Sequence, residues 1–161
     1  MELLWLHGNA DLTDDGFERF PGYVRLRSGS PPAGEVGRRL APEHFAKIQD
    51  AAFHGLWGHK LVSPYAEPPP ESVVLGLYDG SDPIGICTIF PGERLIDGPG
   101  VISGAREPAA YVRLLLGACA ELGAGPVDLD SWGDDPAVIA AYEELGFDVV
   151  ERETGWQFRL T

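Results

Sequence analysis

Cysteine is scarce in this sequence, with only Cys87 and Cys119 among 161 residues. Two cysteines cannot build a disulfide framework, and neither belongs to a CxxC pair, so both are predicted to be buried thiols in a reducing compartment. The chain also lacks a run of the ~20 apolar residues that cross a bilayer, and residues 1–7 lack the basic and apolar regions of a secretion signal. We therefore expect a cytoplasmic protein that does not enter membranes.

Basic residues are also few. Twelve lysines and arginines stand against 25 aspartates and glutamates, which gives a net charge of −13 and a pI of about 4.5. Such a field repels phosphate backbones and anionic lipid surfaces. Binding to nucleic acids and to membrane surfaces is therefore not expected.

The composition is otherwise that of a globular protein, with 44% hydrophobic and 23% charged residues. This length is typical of one domain. We predict a single domain over residues 1–161, in which residues 1–21 could form an N-terminal extension.

Hydrophobic periodicity predicts the secondary structure. Helices are expected over residues 42–56, 108–122 and 136–145, and strands over 23–27, 72–78, 84–90, 94–102 and 127–130, with a final hairpin over 147–160. Strands alternate with helices only in the second half. The predicted fold class is α/β (α+β), with a mixed, mostly antiparallel twisted sheet of six or seven strands flanked by about four helices.

Local residues support the boundaries of the last two helices. Pro108 and Pro136 suit first helical positions, and Asp135 is placed to cap the last helix. Gly146 can adopt the left-handed conformation that ends a helix, and Phe147 can fold back onto its last turn.

The segment from Asp135 to Phe147 reads DPAVIAAYEELGF. It resembles the C-terminal signature of the GNAT superfamily of acyl-CoA-dependent N-acetyltransferases, in which a helix ending Tyr-x-x-Leu-Gly-Phe precedes a β-hairpin. Tyr142 and the Leu145–Phe147 segment match that signature, and the predicted order of elements fits it over residues 72–161.

The resemblance implies transfer of the acetyl group of acetyl-CoA to a primary amine of a small molecule or peptide. The pantetheine would lie between the strand near Val101 and the strand near Leu129, and the pyrophosphate would lie at the amide groups that open the helix at Pro108. Tyr142 would match the tyrosine that protonates the departing thiolate. The residues implied in binding acetyl-CoA are Val101, Ile102, Ser103, Gly104, Arg106, Ala109, Ala110, Tyr111 and Asp135.

The phosphate loop departs from the superfamily pattern, which usually reads Arg or Gln, two residues, Gly, one residue, and Gly or Ala. If Arg106 is the first residue of that pattern, Ala109 replaces the first glycine and Tyr111 replaces the second. A second register, with Gly104 nearest the phosphates, stays open. Asp135 also stands where many relatives have asparagine. The alternative hypothesis is therefore an inactive binding or regulatory module of the same fold with a degenerate loop.

Several roles stay open. Asp97, Asp130 and Glu71 are candidates for a general base on position alone, and the base is left unassigned. Ser131 and Trp132 are expected to line a wall of the site, and the four histidines have no metal-ligand spacing, so no metal site is expected. The acidic field favours a cationic acceptor amine. Members of the superfamily are often dimers, and a homodimer is left open.

Overall fold

The computed structural model describes residues 2–8, 11–57 and 67–160, and eight strands of this part form one sheet. They are β1 (Glu2–Gly8), β2 (Glu18–Ser28), β3 (Arg38–Arg39), β4 (Val73–Asp79), β5 (Asp82–Phe90), β6 (Leu95–Val101), β7 (Val127–Trp132) and β8 (Asp148–Leu160). Their order is β1-β8-β2-β7-β6-β5-β4-β3. All neighbours are antiparallel except β6 and β7, so the predicted mixed, mostly antiparallel sheet is confirmed. It has one strand more than the upper prediction, and β3, with two residues, is too short to leave a periodic pattern.

Three α-helices occur in the same part of the chain, together with two 3₁₀ turns at Thr13–Asp15 and Pro42–His44. They are α1 (Phe45–Trp57), α2 (Pro108–Leu122) and α3 (Pro136–Glu144). None of these helices is long and apolar enough to cross a membrane.

The ends of α3 follow the sequence signals, with one difference. Gly146 has φ of 94°, and the Phe147 amide donates to the Tyr142 carbonyl, as the stop signal predicts. At the other end, Asp135 occupies the N-cap position, but its carboxylate makes no capping hydrogen bond. The Asp135 carbonyl instead accepts hydrogen bonds from the first turn of the helix.

The helices cover both faces of the sheet. On one face, α2 and α3 pack with the sheet into the larger hydrophobic core, which includes Val101, Leu115, Leu129 and Tyr142. On the other face, Phe45, Ile48 and Phe53 of α1 belong to a smaller core. The two faces of the sheet are therefore covered by different helices and belong to different hydrophobic cores.

The predicted final hairpin is wrong. Residues 148–160 form one continuous strand of 13 residues, β8, because the segment Glu151–Gly155 pairs with neighbouring strands instead of turning. The strand beside β7 is β2, and β1 covers the other edge of β8 from Thr154 to Leu160. The N-terminal part of the chain thus supplies the neighbours that a terminal hairpin would otherwise supply for itself.

Candidate active site

The parallel pair β6 and β7 separates part way along its length. Pairing runs from Leu95 opposite Asp128 to Asp97 opposite Asp130, although β6 continues to Val101 and β7 to Trp132. We call the opening beyond Asp97 and Asp130 the fork. Leu129, near which the pantetheine was predicted to lie, still pairs with Ile96, so the opening begins beyond Leu129. Backbone groups that face the fork lack the partners of a closed sheet.

The end of β6 directs backbone amide and carbonyl groups toward the fork. The Ile102 amide donates to Ile84 on the β5 side, at 2.9 Å. Because consecutive residues of a strand direct their amide and carbonyl groups to opposite edges, those of Val101 face the fork. The Val101 carbonyl accepts a hydrogen bond from Arg106 Nε at 2.8 Å, which agrees with this direction.

The loop between β6 and α2 offers free donors next to the fork. A tight turn closes where the Ala105 amide donates to the Ile102 carbonyl, and Gly104 has φ of 90°. Within the described chain, the amides of Ser103, Gly104 and Arg106 donate to no protein acceptor. Unpaired amides next to the first turn of a helix are the groups that bind a phosphate.

The side chain of Arg106 joins this loop to α1. Besides its bond to Val101, its Nη2 donates to the Ala52 carbonyl at 3.2 Å. Ala52 precedes Phe53, where the backbone of α1 leaves helical geometry with φ of −116°. Arg106 therefore lies at the mouth of the fork and holds α1 against it.

Tyr142 lies on the face of the sheet that α2 and α3 cover. Its side chain is fully buried, and its hydroxyl has no hydrogen-bond partner among the described residues. Burial is the main cause that raises the pKa of Tyr142 well above 10, and the charges of Asp134, Cys87 and Tyr111 add to it. Cys87 lies on β5 between Ile86, which pairs with Gly100, and Thr88, which pairs with Asp97. It is therefore next to the stretch of β6 that has separated from β7. The phenol is therefore near the level of the fork.

A carboxylate occupies the other face of the fork. Asp97 is the last residue of β6 that pairs with β7, and its Oδ1 accepts a hydrogen bond from Trp132 Nε1 at 2.8 Å. Burial raises the pKa of Asp97 above 3.8, and Asp130 adds to the effect, whereas the bond from Trp132 lowers it. A half-buried carboxylate of raised pKa is a stronger base than an exposed one.

The other two base candidates are placed differently. Asp130 accepts two hydrogen bonds from Arg25, at 2.7 and 3.0 Å, and one from the Tyr23 hydroxyl at 2.7 Å. Both of its oxygens are therefore engaged. Glu71 is exposed and precedes β4 at the end of the sheet opposite to the fork. Of these three candidates, Asp97 is the one at the fork, and its second oxygen accepts no hydrogen bond from the described residues.

Asp134 belongs to the site but was not singled out from the sequence. Asp134 is half-buried, and its carboxylate accepts a hydrogen bond from Ser131 Oγ at 2.5 Å. Loss of hydration raises its pKa to about 7. Ser131 and Arg106 lower this pKa, and Asp135 raises it. In the sequence, Asp134 is one of two adjacent aspartates before a helix, a pattern typical of an exposed cap. The one available signal was its position directly after the strand that borders the fork.

The predicted cofactor residues surround the fork at different depths. Val101 ends β6 and is fully buried, and Tyr111 is buried in the first turns of α2, where burial raises its pKa to about 12. The half-buried residues are Ile102 and Ala110, and the exposed ones are Ser103, Gly104, Arg106, Ala109 and Asp135. The β6–α2 loop and the starts of α2 and α3 thus bring these positions to one end of the sheet. Trp132 lies on the α1 face and Ser131 on the α3 face.

Solved structures share the fold of this chain. No protein-family model matches the sequence, and no curated protein matches it significantly. Among solved structures, the chain is similar to a GCN5-related N-acetyltransferase from Sphaerobacter thermophilus (TM-score 0.56, 14% identity, 97% of this chain and 59% of that one). It is also similar to a GNAT-family protein from Novosphingobium aromaticivorans (TM-score 0.56, 15% identity, 99% of this chain and 75% of that one).

A protein from Staphylococcus epidermidis of unknown function is similar as well (TM-score 0.50, 15% identity, 97% of this chain and 72% of that one). This chain spans less than two thirds of the Sphaerobacter protein and about three quarters of the other two. At identities this low, the structural similarity shows the fold alone. The chemistry has to be argued from the residues at the fork. The chain has the GCN5-related N-acetyltransferase fold.

Proposed function

We propose that the protein is an N-acetyltransferase that moves the acetyl group of acetyl-CoA to a primary amine of a small molecule or peptide. The observation that carries the proposal is the fork between β6 and β7, with the buried phenol of Tyr142 on one face and the half-buried carboxylate of Asp97 on the other. An opening between two strands admits a narrow chain, and its edges supply hydrogen bonds to the amides of that chain.

The phosphates of acetyl-CoA would bind at the β6–α2 loop. The free amides of Ser103, Gly104 and Arg106 and the start of α2 supply donors and partial positive charge. Ala109 and Ala110 are small and allow a close approach. Arg106 can offset phosphate charge with the part of its guanidinium that does not bind Val101 and Ala52.

The thioester would lie beside Val101. The Val101 amide faces the fork and can donate to the carbonyl oxygen of the thioester, where negative charge develops as the amine attacks. Asp97 would accept the proton that the attacking nitrogen releases. Tyr142 would give its proton to the sulfur as the carbon–sulfur bond breaks. The amine loses one proton, the thiol gains one, and the net reaction is balanced.

The acceptor is expected to be cationic before it reacts. The chain has a net charge of −13, and Asp97 and Asp130 both lie on the face of β6 and β7 that α1 covers. An acidic face attracts an ammonium group, which gives one proton to solvent so that the neutral amine attacks, and Asp97 then accepts the proton released in the attack. A cytoplasmic location would give such an enzyme a steady supply of acetyl-CoA.

A second candidate function is supported by the loop itself. Pro108 has no amide hydrogen, Glu107 places a negative charge at the start of α2, and Arg106 is already bound to two carbonyls. These features favour a binding or regulatory module that has the fold without the activity.

Thermal unfolding with acetyl-CoA separates the two candidates. A ligand at 100 times its Kd stabilises the folded state by about 2.7 kcal/mol, which raises the Tm of a domain this size by roughly 5–10 °C. The enzyme hypothesis predicts such a shift, together with release of free CoA thiol when a panel of primary amines is added. No shift at millimolar acetyl-CoA would contradict the enzyme hypothesis and favour the second candidate.

A further inference from the structure

Tyr142 has a difficulty that the proposed reaction does not resolve alone. A phenol whose pKa is well above 10 yields its proton reluctantly to a thiolate, whose conjugate thiol has a reference pKa of about 8.5. The phenolate left behind would be fully buried, and its hydroxyl has no described partner to stabilise that charge. A nearby group that returns a proton to the phenol would remove this difficulty.

Three ionisable groups raise the pKa of Tyr142 and are therefore its neighbours: Asp134, Cys87 and Tyr111. Cys87 is fully buried and its pKa is raised well above 9, and the pKa of Tyr111 is raised to about 12. Neither group releases a proton near neutral pH. Asp134, with a pKa of about 7, does.

Asp134 is also the neighbour that meets an opening to solvent. It lines a cleft of about 440 Å³ between α3 and the strands β2 and β8, together with Arg19, Ile139, Glu143, Arg152 and Glu153. Neither Tyr142, Cys87 nor Tyr111 lines this cleft. A carboxyl group in its wall can exchange protons with the water that such a space holds.

The geometry of α3 directs the phenol toward Asp134. Helical side chains lean toward the N-terminus of their helix, and Asp134 lies two residues before the first residue of α3. Tyr142 occupies the stripe of α3 that faces the sheet, and Asp134 is held at the start of the helix by Ser131 Oγ. Both side chains therefore lie on the face of the sheet that α2 and α3 cover, and the phenol leans from the second half of α3 toward the end of the helix where Asp134 lies.

We propose that Asp134 is the proton source for Tyr142, fed by the cleft between α3 and β2–β8. This proposal rests on the acetyltransferase function proposed above. As the carbon–sulfur bond breaks, the sulfur takes the Tyr142 proton. Because the Tyr142 hydroxyl has no direct partner among the described residues, the Asp134 proton reaches the phenolate oxygen through one bridging water, and a proton relayed by the water of the cleft restores the carboxyl group. Asp134 acts through Tyr142, so it is a positioning residue. The other charged groups that face it are Arg106 on the loop before α2 and Asp135 on the cap of α3.

The test compares kcat of the wild type and Asp134→Asn from pH 5.5 to 9.5 with saturating acetyl-CoA and one good amine. The amide keeps the shape and the bond from Ser131 but cannot deliver a proton. Because the amine and Asp97 titrate in both proteins, the ratio of the two kcat values isolates Asp134. We expect the wild type to be faster by about tenfold or more below pH 6, and the ratio to fall toward one above pH 8, where Asp134 is ionised.

Two further variants sharpen the test. Ser131→Ala removes a hydrogen bond that lowers the pKa of Asp134, so the midpoint of the pH-dependent fall should move to higher pH. Where Asp134→Asn folds poorly, the pH profiles of kcat of Ser131→Ala and the wild type are compared directly. Glu144→Gln changes an exposed carboxylate of the same helix that does not line the cleft, and its profile should match the wild type.

A ratio that is the same at every pH, in proteins that are active and bind acetyl-CoA equally, overturns the role of Asp134 and leaves the acetyltransferase function intact. An unmoved midpoint in Ser131→Ala also overturns it. A wild type that transfers acetyl groups to no amine overturns the proposed function, and the role of Asp134 with it.

Discussion

Tyr142 combines full burial with a hydroxyl that has no hydrogen-bond partner in the described part of the chain, which is unusual because buried polar groups are nearly always hydrogen-bonded. A purely structural tyrosine at this position would be better replaced by phenylalanine. The hydroxyl is therefore explained most simply by a task in the reaction, as the DPAVIAAYEELGF signature implies.

Replacing Tyr142 with phenylalanine tests that task. We expect kcat to fall by about 100-fold, the usual size of a lost proton donor, with the Kd of acetyl-CoA unchanged. Steady-state kinetics and calorimetry measure the two quantities. Tyr78→Phe, which removes a half-buried hydroxyl on β4, is the matched control and should retain full kcat. Equal turnover in wild type and Tyr142→Phe would remove the acid role.

Asp97 makes a second prediction at this scale. In Asp97→Asn the amide oxygen can still accept the bond from Trp132, but it cannot accept a proton. The raised pKa of Asp97 means that wild-type kcat should gain activity as pH rises through that pKa, and the variant should lack this gain. The ratio of wild-type to variant kcat should therefore increase with pH. A constant ratio would assign the base elsewhere. Asp79→Asn, an exposed carboxylate at the end of β4, is the control.

Asp134 affects stability as well as proton transfer. Its pKa is about 7 in the folded protein and about 3.9 in an unfolded chain, so the fold holds its proton more tightly. The stabilisation is present in full below pH 4 and is lost as pH rises to 7. Asp134→Asn removes this loss, so its free energy of unfolding relative to wild type should increase between pH 4 and 7, by roughly 4 kcal/mol at most. Urea unfolding at several pH values measures it, and a difference that is constant with pH contradicts it.

At the scale of elements, α1 is fitted closely onto the glycines of β6. A methyl group at Gly100 would lie 2.5 and 2.7 Å from the ring of Phe53 and 3.0 Å from Ala52. The same end of α1 accepts the bond from Arg106. Packing of α1 and the shape of the fork are thus fixed together.

Gly100→Ala should therefore loosen α1 and disturb the fork. We expect a loss of roughly 1–3 kcal/mol of stability from overpacking and weaker binding of acetyl-CoA. Thermal unfolding and calorimetry check both effects. Gly92→Ala is the matched control, because nothing lies within 4 Å of a methyl group there, and it should behave as wild type. A Gly100→Ala protein as stable as that control would show that this contact does not shape the fork.

Much of the second half of the fold could be predicted from the sequence, because its signals are local. Pro108, Gly146 and the apolar stripe of α2 set boundaries that the structure confirms. The single strand β8 could not be predicted, because its partner β2 lies more than 100 residues away along the chain. The position of Asp134 depends on how β7, α3 and that distant strand enclose it, and no periodicity reports such an enclosure.

At the scale of the whole molecule, one sheet carries two kinds of chemistry. The face with α2 and α3 holds the phenol of Tyr142 and the carboxyl group of Asp134, for which we propose proton exchange, and the face with α1 holds Asp97, which we propose as the base. The fork connects them, so that a thioester placed there is within reach of an acid from one face and a base from the other. The claim on which this account depends is that acetyl-CoA enters the fork.

An amide NMR titration of the full chain with acetyl-CoA tests that claim most directly. The account predicts that the resonances of Val101, Ser103, Gly104 and Arg106 move most. The Val101 amide faces the fork, and the other three donate to no acceptor among the residues that the structure describes. The resonances of residues 34–37, which line a separate cleft beside α2, should move least. Saturable shifts confined to residues 34–37, or no shifts at millimolar acetyl-CoA, would contradict the account.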